Sequence, residues 1–157
     1  MGIEDHIPKI YGKNQVRMSD VARLKEQGYS LLSLHLHSTS SYDVPDLPRN
    51  RPESLLQQSR AKGVDFTCIT DHDNDDAWQS LSVKPDGLVR SLELEVENGL
   101  MHLGIMGIPE SVRTEELTSI SHDAEKSIRK ALDTGAIVIA NHPFWNAEAY
   151  RAESRTS

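Results

Sequence analysis

The chain of 157 residues has one cysteine, Cys68, so no intramolecular disulfide can form and nothing points to an oxidising compartment. Basic charge is also short: 17 Lys and Arg against 24 Asp and Glu leave a formal charge of -7, which argues against a broad nucleic-acid-binding surface. An enzyme that meets phosphate through bound cations is still allowed, because the ions then supply the positive potential. No apolar run approaches the roughly 18 residues of a membrane span, and the opening residues lack a signal-peptide core, so the expectation is a cytoplasmic protein with no membrane partner. Aromatic residues make up only 5% of the chain, but hydrophobic residues make up 37%, enough for a folded core. There is no internal repeat and no low-complexity segment. The length suits one domain, expected over 19–157 after an irregular lead-in over 1–18.

Seven histidines and a set of acids are what the chain does have. Ser19 is expected to cap a helix over DVARLKEQ that stops at Gly28. SLLSLHLH then alternates as a strand, with His35 and His37 on one face about 7 Å apart. A helix over ESLLQQSRAKG, ended by Gly63, leads into the β-rich run VDFTCIT, which stops at Asp71-His72-Asp73. Strand, helix and strand with short joints read as a parallel βαβ unit, whose ligands collect at the carboxyl ends of the strands. Two further β-rich runs flank Asn98-Gly99, a hairpin signal. A helix over HDAEKSIRKALDTG precedes AIVIANHP, a buried strand closed by Pro143.

Four histidines, His35, His37, His72 and His142, fall at or just beyond predicted strand ends, and His102 lies inside the second hairpin strand. Convergent neutral imidazoles with carboxylates make a metal site. His6 and His122 are read as ordinary surface residues. The acidic run TDHDNDD is not an EF-hand, because the position that needs glycine is Asp76 and the twelfth is Ser82.

In order, His35-Leu36-His37, Asp43, Thr70-Asp71-His72, a strand glutamate, His102 and Asn141-His142-Pro143 resemble the PHP family, named for polymerase and histidinol phosphatase. The likeness runs from about Ser30 to Pro143. It implies an α/β fold, a partial or distorted (β/α)7 barrel with a strand-end metal site. Two divalent ions, zinc, manganese or iron, are implied, with a third in question. By this resemblance His35 and His37 hold the first ion, His102 and His142 complete the second, and a glutamate bridges them. Asp43 and His72 belong to the side of the third. Ser91-Leu92-Glu93-Leu94 fits the bridging position best, with Glu95 as the substitute.

The implied activity is hydrolysis of a phosphomonoester, nucleotide or short oligonucleotide by a metal-activated water. Asp43, His72 and Asp71 are the catalytic candidates, Asp71 as the group that orients His72. Arg49 and Arg51 are candidates to clamp the substrate phosphate, with solvated loop charges as the alternative. The family's late Asp-x-His motif has no counterpart after His142, which leaves a non-catalytic metal-binding module or inactive fragment as the second reading. Open sheet edges make pairing with a second copy a further expectation. An amidohydrolase is disfavoured, because Lys84, Lys126 and Lys130 are poorly placed for carbamylation.

Overall fold

The computed structural model describes residues 20–142. The lead-in over 1–18, the Ser19 cap and the Pro143 stop lie outside the described residues. The chain divides into two compact units, Met1–Leu31 and Leu32–Ser157. In the first unit, helix α1 (Val21–Glu26) ends as expected: Gly28 takes φ 88° and its N–H caps the carbonyl of Lys25.

The second unit opens with a parallel sheet. Strands β1 (Leu32–Ser33), β2 (Phe66–Cys68) and β3 (Leu88–Val89) lie side by side in chain order. Helix α2 (Pro52–Ala61) makes the first crossover, with Pro52 at its first turn, where the missing N–H costs nothing. The second crossover carries helix α3 (Asp76–Ser80). Leu56, Ile69, Ala77 and Leu81 form the small core between this sheet and its helices.

A second sheet follows, antiparallel, in the order β4 (Ser91–Val96), β5 (Met101–Met106), β6 (Ile137–Asn141). Period-two alternation divides it cleanly. Leu92, Leu94, Val96, Leu103 and Ile105 are almost wholly buried on one face. They pack with Leu117 of helix α4 (Glu115–Thr118) and Ala131 of helix α5 (Ala124–Asp133). Asp123 caps α5 by accepting from the backbone N–H of Lys126. Glu93, Glu95 and His102 point to the opposite face, so the pattern that builds the core also lines up the polar groups of the site.

The expected seven-stranded barrel is not what forms. Among the described residues there are two three-stranded sheets, one parallel and one antiparallel, joined by a single parallel bridge between His72 and Glu93. The cause is the connection over 97–100. A parallel neighbour needs a crossover of about a dozen residues or more, whereas Val96 already pairs with Met101. Glu97, Asn98 and Gly99 all take positive φ, of 51°, 58° and 78°, to make this tight reversal. The hairpin itself is where Asn98-Gly99 predicts it.

The first strand is also shorter than its alternation suggests, since pairing stops at Ser33. Extended backbone continues beside the second strand's exit, where the Thr70 N–H donates to the carbonyl of Leu36 at 2.7 Å. This contact carries His35 and His37 past the strand end, towards the rim where β2, β4 and β6 also deliver their residues. His102 joins them from the amino end of β5, because an antiparallel strand starts where its neighbours finish. Among the described residues, no helix is long and apolar enough to cross a membrane.

Candidate metal centre

Five histidines and two carboxylates meet in one cavity of about 400 Å³, lined by His35, His37, Tyr42, Asp43, His72, Glu93, His102 and His142. Glu93 is its centre. The side chain is only 1% exposed, and the imidazole nitrogens of four histidines surround its carboxylate. His37 Nε2 is 2.9 Å and His35 Nε2 3.8 Å from Oε2; His72 Nδ1 is 3.7 Å from the same oxygen; His102 Nδ1 is 3.3 Å from Oε1. Donor atoms around a tetrahedral ion with bonds of about 2.0–2.1 Å lie roughly 3.3 Å apart. The distances observed bracket that spacing.

Two buried atoms mark where a cation fits. Glu93 Oε2 and His72 Nδ1 have no hydrogen-bond partner, even though His37 Nε2 is 2.9 Å from that oxygen. A buried polar atom left unsatisfied costs about 1–3 kcal/mol, and more when charged. Imidazole and carboxylate donors gathered around one point suit a positive ion. The potential ligand atoms fall into two groups, His35, Glu93 and His142, and His37, His72 and Glu93, each with all atoms within 4.8 Å of one another. These His and Glu groups could hold metal. Glu93 belongs to both; His35 and His37, two residues apart, fall in different ones, although their Nε2 atoms lie only 3.2 Å apart.

Local hydrogen bonds aim the imidazoles. His35 Nδ1 lies 3.2 Å from Thr70 Oγ1, which donates to the Leu36 carbonyl and can accept the ring N–H, so Nε2 is the nitrogen that faces Glu93. His37 Nδ1 lies 3.2 Å from Ser41 Oγ and 3.4 Å from Asp43 Oδ1, which likewise turns Nε2 inward. Engaging one ring nitrogen fixes which one is free to bind metal. Asp43, with an oxygen 3.7 Å from His72 Nε2, stands between His37 and His72.

Asp71 does something other than orient His72. Its two oxygens accept from the backbone N–H of Ser38 at 2.6 Å and from Ser38 Oγ at 2.7 Å, and both residues are fully buried. Asp71 therefore anchors the loop that carries His37, and the carboxylate that orients an imidazole is Asp43. Asp71→Ala is expected to cost about 2–3 kcal/mol, since bonds to a charged acceptor are lost and a buried N–H is orphaned. Denaturant unfolding measures it.

The remaining predicted residues divide. Glu95 does not line the cavity, but its Oε1 is 3.0 Å from His72 Nδ1 and accepts from the Tyr42 hydroxyl. Arg49 and Arg51 are exposed, and neither lines the cavity. Asn141 was legible only as part of a motif, yet its Nδ2 donates to Glu93 Oε1 at 2.9 Å. Room for that amide comes from Gly104, opposite Glu93 in the ladder, where a Cβ would lie 3.1 Å from Asn141 Nδ2. Gly104→Ala is expected to displace Asn141 and to weaken metal binding about tenfold with the fold kept. Isothermal titration beside a far-UV spectrum tests this.

Charges respond to this crowding. Burial alone would raise the pKa of Glu93, but the close imidazoles of His102 and His37 and the Asn141 amide outweigh it and hold the carboxyl far below its usual range. The bond to Glu93 raises His102. Burial works against His37, yet Glu93 and Asp43 together raise it. Burial lowers His35 and raises Asp71, the latter against the two Ser38 bonds. Asp43 is lowered, as Ser41, His37 and His72 overcome its burial.

A larger cavity of about 730 Å³ lies against Asp75, Arg90 and Thr114. Its buried charges are spent on structure. Arg90 Nε donates to Asp75 Oδ2 at 2.6 Å, and the other guanidinium nitrogens bond Pro109 O, Val112 O and Thr114 Oγ1. No family model and no curated protein matches the chain.

Proposed function

We propose that this chain is a metal-dependent phosphoesterase of the PHP type, acting on a small phosphorylated substrate such as a phosphomonoester, nucleotide or short oligonucleotide. The observation that carries the reading is Glu93, a buried carboxylate shared by two groups of imidazole donors with one oxygen left unsatisfied. Two divalent ions, zinc, manganese or iron, suit a set of nitrogen and oxygen donors with no thiolate. The ordered motifs from His35 to His142 support the same assignment.

Bound divalent ions supply a water of lowered pKa and neutralise charge on the phosphoryl oxygens. The chain's own groups do the rest. Glu93 sets the spacing of the two groups, Asn141 holds Glu93 Oε1, Thr70 fixes the ring of His35, and Ser41 and Asp43 fix that of His37. Asp43, at the exposed edge and close to both His37 and His72, is placed to take up or return a proton at Oδ2. Arg49 and Arg51 are not part of this proposal, because they do not face the cavity.

The test is release of phosphate by purified chain loaded in turn with zinc, manganese and iron(II), offered a phosphomonoester, a nucleotide and a dinucleotide. Metal-dependent turnover that His35→Ala and His142→Ala abolish is the expected result. Stoichiometric metal uptake with no turnover on any of the three assigns the chain to the non-catalytic alternative.

A further inference from the structure

We propose that Tyr42 selects substrates whose ester group is aromatic, an aryl or nucleobase-bearing phosphoester, by offering its ring as a stacking surface at the mouth of the metal cavity. The inference rests on the phosphoesterase reading and narrows it to a substrate class.

Tyr42 belongs to no ligand group, and its sequence context did not single it out. In the structure it lines the cavity, yet 75% of its surface meets solvent. Two contacts fix the ring from opposite ends. It stacks on the imidazole of His72, with centroids 4.8 Å apart and planes 27° from parallel, and its hydroxyl donates to Glu95 Oε1. A large apolar side chain held in one orientation beside a polar cavity is a preorganised surface, so little ordering entropy is lost when a second ring lies against it.

The position suits an ester group rather than the phosphate. His72 belongs to the ligand group with His37 and Glu93, so a phosphoryl group held there places its substituent at the mouth, beside the residue stacked on His72. An aliphatic substituent gains little from such a ring. An aromatic one gains offset stacking, which for a nucleobase on a protein ring is worth roughly a tenfold or greater change in affinity.

The test uses phenylphosphonate and methylphosphonate, which are not cleaved, titrated calorimetrically into the zinc-loaded full chain. The expected ratio favours the phenyl probe about tenfold. Tyr42→Phe keeps that ratio, since the ring survives without its hydroxyl, whereas Tyr42→Ala brings it close to one. The proposal is overturned by a native ratio near one, by an unchanged ratio in Tyr42→Ala, or by no binding of either probe. The readout is separate from turnover. A chain that hydrolyses phosphoesters with an unchanged ratio in Tyr42→Ala loses only this inference, and a chain without hydrolysis that keeps the Tyr42-dependent ratio loses only the catalytic reading.

Discussion

Replacing Glu93 by Gln is expected to weaken metal binding in both ligand groups by more than about a hundredfold and to abolish hydrolysis. Loss of an outer partner of a metal ligand already costs about 10- to 100-fold, and Glu93 is placed to be a ligand in both groups at once. Gln keeps the size of a side chain that is 1% exposed, so the fold should survive. What disappears is the negative charge that raises His37 and His102 and would balance two cations. Glu95→Gln is the control. Glu95 alternates onto the same face, but it does not line the cavity, accepts from Tyr42 and belongs to neither group. Its replacement should cost about tenfold or less. Calorimetric titration of both variants with zinc separates the two glutamates, and the reverse order of effects would make Glu95 the shared ligand.

Stripping metal with a chelator is expected to lower the melting temperature by about 8–16 °C near pH 8. An ion present at a thousand times its dissociation constant stabilises by about 4 kcal/mol, and each kcal/mol shifts a domain of this size by about 2–4 °C. The gap should also depend on pH. His37 and His102 have raised pKa values in the folded, metal-free chain. Their contribution is complete below the ordinary histidine value of about 6.5 and is lost as pH rises through the raised values. Glu93 is depressed, so its contribution is present above about pH 4.3 and lost as pH falls through its folded value. His35, lowered, works against the other two imidazoles, one group against two.

The metal-free chain should therefore be most stable between about pH 4.5 and 6.5 and should weaken towards pH 8. Metal reverses that slope, because it binds neutral imidazoles and replaces their protons. Melting curves with zinc and with chelator, at pH 6 and pH 8, should show a difference that widens at the higher pH. An equal difference at both would mean the imidazoles of the cavity are not the ligands.

How legible all this was depends on the scale of the interaction. His-x-His, Thr-Asp-His and the strand glutamates announced themselves because histidine and acid at the ends of apolar runs are costly unless used. Of those residues, His35, His37, His72 and Glu93 meet in one cavity, whereas Asp71 turns to Ser38 and Glu97 accepts from the backbone N–H of Ala124. The core face of the second sheet was equally plain in the alternation of Leu92, Leu94 and Val96. Strand direction was the failure, and the chain contained the correction. Asn98-Gly99 demands an antiparallel pair, and a barrel of parallel strands has no place for one there; the hairpin won because four residues cannot span a crossover.

Long-range partners were harder. Asp71 was next to His72 in sequence, but its oxygens reach Ser38, 33 residues away, because the Leu36–Thr70 contact lays the two loops together. His35 and His37 sit at period two, and their Nε2 atoms lie 3.2 Å apart, a spacing that one ion can share. What the sequence does not show is that their other ring nitrogens follow different neighbours, Thr70 and Asn141 for one, Ser41 and Asp43 for the other. Gly104 carried no signal at all, since its role is the room it leaves for an amide 37 residues further along.

Anomalous diffraction at the zinc edge, from crystals of the metal-loaded chain, addresses the central claim most directly. Two peaks are expected on either side of the Glu93 carboxylate, one about 2.0–2.3 Å from imidazole nitrogens of His35 and His142, the other at that distance from His37 and His72. Ions seated only on surface acids, with the Glu93 carboxylate touching none, would contradict it.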